Sequence, residues 1–289
     1  MTCAVVLHGG AIGTGREDFA EELALLGDIS VRAAERLNAG ESSTVAVTAA
    51  LMEMEASGLF IAGRGASPDA SGRYALDASL MCGRDRRCGA VAGVERVKFP
   101  SELCARIAEK EREAFWIADG AEALARKHGC QMVQDPDAWF APRFALEELG
   151  PAGFSTIGAA ALDLAGDLTA GTSTGGLGGK IRGRVGDSPL IGAGTWADDR
   201  TAVSCTGDGQ AFIRANAAAL VGQRQALLGE SLTESVLASL RQVAELGGSG
   251  GIIALSATGE VKAAHNAPGL KFAYVDGRGR CAAGAICTP

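Results

Sequence analysis

The chain has 289 residues, with 27 Lys and Arg against 34 Asp and Glu for a net charge of −7, and 47% of its residues are hydrophobic. That length is ample to bury a core, as one large domain or two modest ones, and the acidic balance argues against a nucleic-acid partner, which requires a basic footprint. No uninterrupted apolar run reaches the ~20 residues that span a bilayer, and the N-terminal MTCAVVLHGG lacks the basic start of a signal peptide, so a cytoplasmic location is expected.

Thr2 to Leu7 reads as a short apolar strand. Helical periodicity runs from about Arg16 to Asn38 and from Ser43 to Ala56, the second with serine and threonine at its start suited to capping. Strand patterns follow at Tyr74 to Met81 and Gly89 to Val97. Pro100 is placed to begin the next helix, where its missing N–H costs nothing. Helical segments fill most of Ser101 to Leu149, with a break at Asp135–Pro136. Gly150-Pro-Ala-Gly153 is the one linker-like stretch, and Thr156 to Leu162 then opens a strand. Strands, helices and strands follow in that order. Ser231-Leu-Thr-Glu234 is a capping box before a helix with Val236, Leu237, Leu240, Val243 and Ala244 on one face. The last strands lie near Gly251 to Leu255, Val261 to His265, Phe272 to Val275 and Cys281 to Ala285. Periodicity alone supports a mixed α and β fold.

The eight cysteines are scattered, and the closest pair, Cys82 and Cys88, has no second pair or histidines at zinc-ligand spacing. With three histidines in all, a side-chain metal site is not expected, and the cysteines read as reduced. GGLGGK looks like a phosphate loop but lacks the first glycine at the required spacing and a Ser or Thr after Lys180. Nucleotide binding is therefore not expected.

The richest stretch runs from Ser155 to Gly209. Threonines recur there at strand ends and Gly-rich turns, with Arg184 and Asp187 between them. A threonine hydroxyl is a weak nucleophile until a base activates it, and its own freed α-amine is one such base. For Thr156 that amine exists only if the bond from Ser155 is cut. Arginine matches a carboxylate with two parallel hydrogen bonds, and aspartate accepts from an ammonium. Arg184 and Asp187 together suit the α-carboxylate and α-amine of an amino acid.

Five motifs follow in family order: LHGGAIGTG, the run from Thr44 to Gly83 with its DAS strand, GAVAGVERVKFPSELCARIAE, the Ser155–Gly209 stretch, and GGSGGIIALSATGEV. In these, over most of its length, the chain resembles the isoaspartyl peptidase and plant-type asparaginase family of Thr-dependent N-terminal-nucleophile hydrolases. The resemblance implies an α+β fold, a four-layer αββα sandwich. It implies one domain over 1–289 that cleaves itself into 1–155 and 156–289, between Ser155 and Thr156. The implied substrates are the side-chain amide of asparagine or β-aspartyl dipeptides. Thr156 is then the nucleophile and Thr174 steadies its hydroxyl. Thr206 and the Gly207 N–H form the oxyanion hole, while Arg184, Asp187, Gly207 and Gly209 hold the substrate. No cofactor is implied beyond a structural sodium ion on backbone carbonyls of a loop containing Met54, Glu55, Ser57, Phe60, Ala62 and Arg64. The implied assembly is a homodimer of cleaved units.

Three features depart from the family pattern. Ile61 stands where relatives carry Asn, Ser155 where they carry glycine or aspartate, and the tether before Thr156 is short. They leave open a glycosylasparaginase-like amidase, to which TAGTSTGG and GAGTWADD also point, and a binding protein that keeps the pocket without cleaving.

Overall fold

Alternation along each strand sorts side chains between two layers, because successive residues point to opposite faces of a sheet. On β1 (Ala4–Ile12) and β5 (Ile157–Leu162), Val5, Leu7, Ile157, Ala159 and Ala161 join one buried cluster. Ala4, Val6, Ala160 and Leu162 join another. The first cluster contains the apolar faces of α1 (Ala20–Asn38), α2 (Ser43–Ser57) and α3 (Pro100–Lys110). The second contains Ala202, Ile253 and Leu255 of a different sheet. Each central strand is thus buried on both sides, which explains why its pattern is nearly continuous in apolar and small residues.

The structure, a computed structural model, describes residues 2–13, 18–143 and 156–287. The first sheet also contains β2 (Leu76–Cys82), β3 (Cys88–Val94), β4 (Phe115–Ile117), β6 (Leu168–Thr174), β11 (Gly269–Val275) and β12 (Cys281–Cys287), in the order β12-β11-β1-β5-β6-β2-β3-β4. The second has β7 (Thr195–Ala197), β8 (Thr201–Gly207), β9 (Gly250–Ser256) and β10 (Val261–His265), in the order β10-β9-β8-β7. α6 (Gly209–Ala215), α7 (Ala217–Leu228) and α8 (Leu232–Glu245) cover its outer face, packing on β8 and β9 around Val203, Cys205, Ile252 and Ala254. Helices, sheet, sheet and helices make the four-layer αββα sandwich.

Local signals account for several boundaries. Ser42 caps α2 by accepting from the Val45 N–H, and Ser231 with Glu234 completes the capping box of α8. Pro100 sits in the first turn of α3. Between Ser101 and Arg143, the described part of the stretch, the chain is less helical than its pattern suggests. After α3 come β4, α4 (Ala118–Lys127) and the short α5 (Pro136–Trp139). β4 forms because Phe115, Trp116 and Ile117 pair in parallel with Ala90, Val91 and Ala92 of β3, a tertiary contact no local pattern encodes. The first strand runs on from Leu7 to Ile12, since His8–Ile12 pairs with β11 across a bulge between His8 and Ala11. Residues 16 and 17 at the expected start of the first helix, the linker Gly150–Gly153 and Ser155 lie outside the described residues. Among the described residues no helix is long and apolar enough to cross a membrane, and the described cysteines are free thiols.

Candidate active site

The face of the first sheet that meets the second is apolar at one end and polar at the other. On β1 it reads Ala4, Val6, His8; on β5 Leu162, Ala160, Gly158; on β6 Leu168, Ala170, Thr172, Thr174. β8 contributes Ala202, Ser204 and Thr206 from the opposite sheet. Pairing aligns His8 with Gly158, Gly158 with Thr172 and Thr172 with Ser79. The next rung sets Thr174 beside Asp77, with Thr156 at the mouth of β5. Sheet register alone thus collects the threonines at one end of the sandwich.

Thr156 Oγ1 lies 3.2 Å from Thr174 Oγ1 and donates to it. Thr174 Oγ1 also accepts from the Gly176 N–H at 3.0 Å, so two donors hold its lone pairs and fix where the Thr156 hydroxyl sits. Gly176 has φ +75, and a Cβ there would come within 2.5 Å of Lys180 Nζ. Lys180 is buried, donates to the Ala75 carbonyl at 2.9 Å, and closes over this turn. Sequence reading passed over Lys180 as part of a failed phosphate loop; its signal was a lone lysine in a glycine-rich run. The turn is gripped from below as well, because Gly175 N–H donates to the Ile61 carbonyl at 2.7 Å. At Ile61, therefore, the backbone makes the contact with the turn and the side chain is buried apolar bulk.

Thr206 Oγ1 accepts from the Ala11 N–H at 3.3 Å, which leaves its own proton to donate. Gly207 has φ +141, and a Cβ would fall 2.3 Å from the Ser249 carbonyl, so the position requires glycine. Gly209 admits Asp187: a Cβ would meet Asp187 Oδ1 at 2.7 Å. Arg184 is half-buried, with its guanidinium over Gly186. It forms no ion pair with Asp187, whose Oδ2 is buried without a hydrogen-bond partner. Burial pushes the Asp187 carboxyl up to about 7, outweighing the backbone N–H groups and the Arg184 charge that pull it down. A buried carboxylate oxygen without a partner has room to accept one further hydrogen bond.

The Asp187 environment gives a stability prediction. Ligand-free, Asp187 keeps a proton up to about pH 7 that the unfolded chain releases near pH ~4. Its contribution is full below the unfolded value and is lost as pH rises through the folded one. Asp187→Asn should raise the ligand-free Tm near pH ~8 by on the order of a few °C, with a smaller gain near pH ~5. Equal gains at the two pH values would show that Asp187 is not held protonated.

His8 is fully buried, and burial lowers its pKa to about 3 against the opposing influence of the Thr156 backbone beside it. It is a neutral imidazole next to the proposed nucleophile. The sequence reading included it only within LHGGAIGTG. Glu55 accepts from Ser173 Oγ at 2.7 Å, from Ser101 Oγ at 2.7 Å and from the Ser101 N–H at 3.2 Å, tying α2 and α3 to the residue before Thr174. Even with these donors, burial raises it to about 7.

The proposed sodium loop begins in the last turn of α2 with Met54, Glu55 and Ser57, and continues through a left-handed Gly58 to the 3-10 turn Gly63–Gly65. A Cβ at Gly63 would lie 2.4 Å from the Glu55 carbonyl, and one at Gly65 would lie 2.1 Å from that of Phe60. Met54, Phe60, Ala62 and Arg64 carbonyls each accept one hydrogen bond and keep a second lone pair. Uncharged carbonyl oxygens near a helix C-terminus are donors of the kind a monovalent cation takes. No group of His, Cys, Asp and Glu among the described residues forms a metal cluster.

A family model described as Asparaginase matches residues 1–150 and 142–283. An isoaspartyl peptidase of Salmonella typhimurium is 36% identical, covering 93% of this chain and 94% of its own. An isoaspartyl peptidase of Escherichia coli is 36% identical, covering 93% and 92%. An isoaspartyl peptidase/L-asparaginase of Rattus norvegicus is 34% identical, covering 95% and 86%.

Proposed function

Because the chain belongs to the asparaginase family and is a hydrolase of amide bonds, we propose that it cleaves asparagine and β-aspartyl dipeptides with Thr156 as an N-terminal nucleophile. The observation that carries this reading is the Thr156–Thr174 hydroxyl contact, supported by the Thr206 hydroxyl and the unpartnered Asp187 Oδ2.

Maturation comes first. The Thr156 hydroxyl attacks the Ser155 carbonyl, the acyl group moves from nitrogen to oxygen, and water releases residues 1–155. The freed α-amine of Thr156, whose ordinary pKa lies near ~7.7–8, then serves as general base. Arg184 takes the substrate α-carboxylate with two hydrogen bonds, and Asp187, ionised by the arriving ammonium, takes the α-amine. Gly209 leaves room for that amine. The side-chain carbonyl thereby points at Thr156 Oγ1.

Attack moves the hydroxyl proton to the Thr156 amine and negative charge to the carbonyl oxygen. The Thr206 hydroxyl and Gly207 N–H donate to that charge, which develops only as the bond forms. The proton passes to the leaving nitrogen, so ammonia or an amino acid departs and a β-aspartyl ester remains on Thr156. Water, deprotonated by the same amine, hydrolyses the ester and returns the enzyme. Lys180 and the Ile61 carbonyl brace the turn below Thr174 throughout. A sodium ion on the carbonyls of Met54, Glu55, Ser57, Phe60, Ala62 and Arg64 would stiffen the loop beneath that turn.

We also propose that cleaved units pair as homodimers in the cytoplasm, a setting that keeps the free thiols reduced. Aspartate release from asparagine, β-aspartyl dipeptides and glycosylated asparagine tests the substrate assignment. Turnover of the first two and not the third is the expected result. Preference for glycosylated asparagine would move the chain to the glycosylasparaginase branch, and inertness toward all three would leave a binding protein.

A further inference from the structure

One rung beneath Thr156 and Thr174, where a sandwich interior is ordinarily apolar, lies an unbroken zigzag of hydroxyls. Ser204 Oγ on β8 sits 2.9 Å from His8 Nε2 and 2.7 Å from Thr172 Oγ1 on β6. Thr172 lies 2.6 Å from Thr195 Oγ1 on β7, and Thr195 lies 2.8 Å from Ser79 Oγ on β2. Ser79 ends the run 2.6 Å from the carbonyl of Ser188, the residue after Asp187. His8, Thr172 and Ser79 come from the first sheet, Ser204 and Thr195 from the second, and none of the five has measurable exposure. Gly158 makes room for the run, since a Cβ there would stand 2.0 Å from Ser204 Oγ and 2.2 Å from His8 Nε2. The DAS, TAGTSTGG, GAGTWADD and SCTGDG motifs each place a hydroxyl here that the proposed chemistry does not use.

We propose that this zipper fixes His8 as its Nε2–H tautomer and ties the Asp187 loop to His8 on β1, the strand beside the nucleophile strand, making Ser79, Thr172, Thr195 and Ser204 positioning residues. The naming of its two ends rests on the function proposed above; the tautomer does not.

Proton bookkeeping gives the direction, because a hydroxyl has one proton to donate and rotates to suit its neighbours. Thr172 Oγ1 accepts from Thr195 and gives its one proton to the Gly194 carbonyl at 3.1 Å. Ser204 therefore donates to Thr172 and accepts from His8 Nε2–H. At the far end Ser79 shares its proton between Thr195 and the Ser188 carbonyl. With the other tautomer Ser204 would donate to His8, its contact with Thr172 would face lone pair to lone pair, and Nδ1 would carry a proton. Nδ1 is buried with no partner, and an orphaned N–H is rarer than an orphaned acceptor.

The chain has three histidines, His8, His128 and His265, so ¹⁵N-histidine labelling gives an assignable spectrum, with His128→Gln and His265→Gln removing the other two signals. Long-range ¹H–¹⁵N correlations near neutral pH should show His8 protonated on Nε2. Thr172→Val keeps the shape and removes the hydroxyl. Ser204 is then free to donate to His8, so the ring should move toward Nδ1–H and kcat should fall roughly tenfold, with Thr172→Ser restoring both. Ser79→Ala should act mainly on KM, through the Asp187 loop, and Ser204→Ala mainly on kcat. If Thr172→Val does not fold, Thr172→Ala removes the same hydroxyl and carries the same expectation. An Nδ1–H tautomer in the unaltered protein overturns the proposal, as does an unchanged His8 signal in a folded valine variant. An Nε2–H ring in a chain inert toward every amide would keep the zipper and remove the hydrolase reading.

Discussion

Thr156→Ala is expected to give a folded chain of a single length with amide hydrolysis reduced by roughly 10⁴-fold or more, the scale seen when a covalent nucleophile is removed. Two losses coincide. The hydroxyl that attacks substrate is gone, and so is the hydroxyl that would cut the Ser155–Thr156 bond and free the base. Thr156 is only partly buried at the mouth of β5, and its side-chain contact is with Thr174, so truncation should cost little stability. Thr156→Ser keeps both hydroxyl and amine and should retain part of cleavage and part of turnover. A denaturing gel reports the first and aspartate release the second. An alanine variant that hydrolysed substrate like the parent would remove Thr156 from the mechanism.

Arg184→Ala should lower kcat/KM by about 30-fold to a few thousandfold, equivalent to the ~2–5 kcal/mol typical of removing one partner from a buried charged pair. The effect should fall mainly on KM, because the guanidinium contacts a part of the substrate that does not change charge during the reaction. Arg184→Lys should recover only part, since an ammonium offers a point charge where the carboxylate wants two parallel N–H groups. Arg184 lies over Gly186 and forms no ion pair with Asp187, so its removal should leave folding intact. Steady-state kinetics on asparagine and a β-aspartyl dipeptide provide the check. Unchanged constants for both would place Arg184 outside the pocket.

Parts of this arrangement were legible in the sequence for definite reasons. Strand β5 and the capped helix α8 follow local patterns, a short run of apolar and small residues and a capping box, that need no distant partner. Thr156, Thr174, Arg184, Asp187 and Thr206 were found as candidates because they sit in short motifs with recognisable order. β4 escaped because Phe115–Ile117 is a strand only through its pairing with β3. His8 was hidden for a similar reason. A single histidine on the first strand acquires meaning only when register places it opposite Gly158 and beneath Ser204, residues about 150 and 200 positions away. The unpartnered Oδ2 of Asp187 likewise follows from burial and from the room that Gly209 leaves, neither of which spacing encodes.

Intact-mass and N-terminal sequence determination on the purified, unmodified protein tests the central claim most directly. The account predicts a fragment beginning TIGAAALD, its appearance coinciding with aspartate-releasing activity. The tether is short and Ser155 allows less backbone freedom than glycine, so an intact fraction should persist and shrink over days, faster in Ser155→Gly. A preparation that remained a single 29.3 kDa chain while hydrolysing asparagine or a β-aspartyl dipeptide would contradict it, since Thr156 would then have no free amine to act as base.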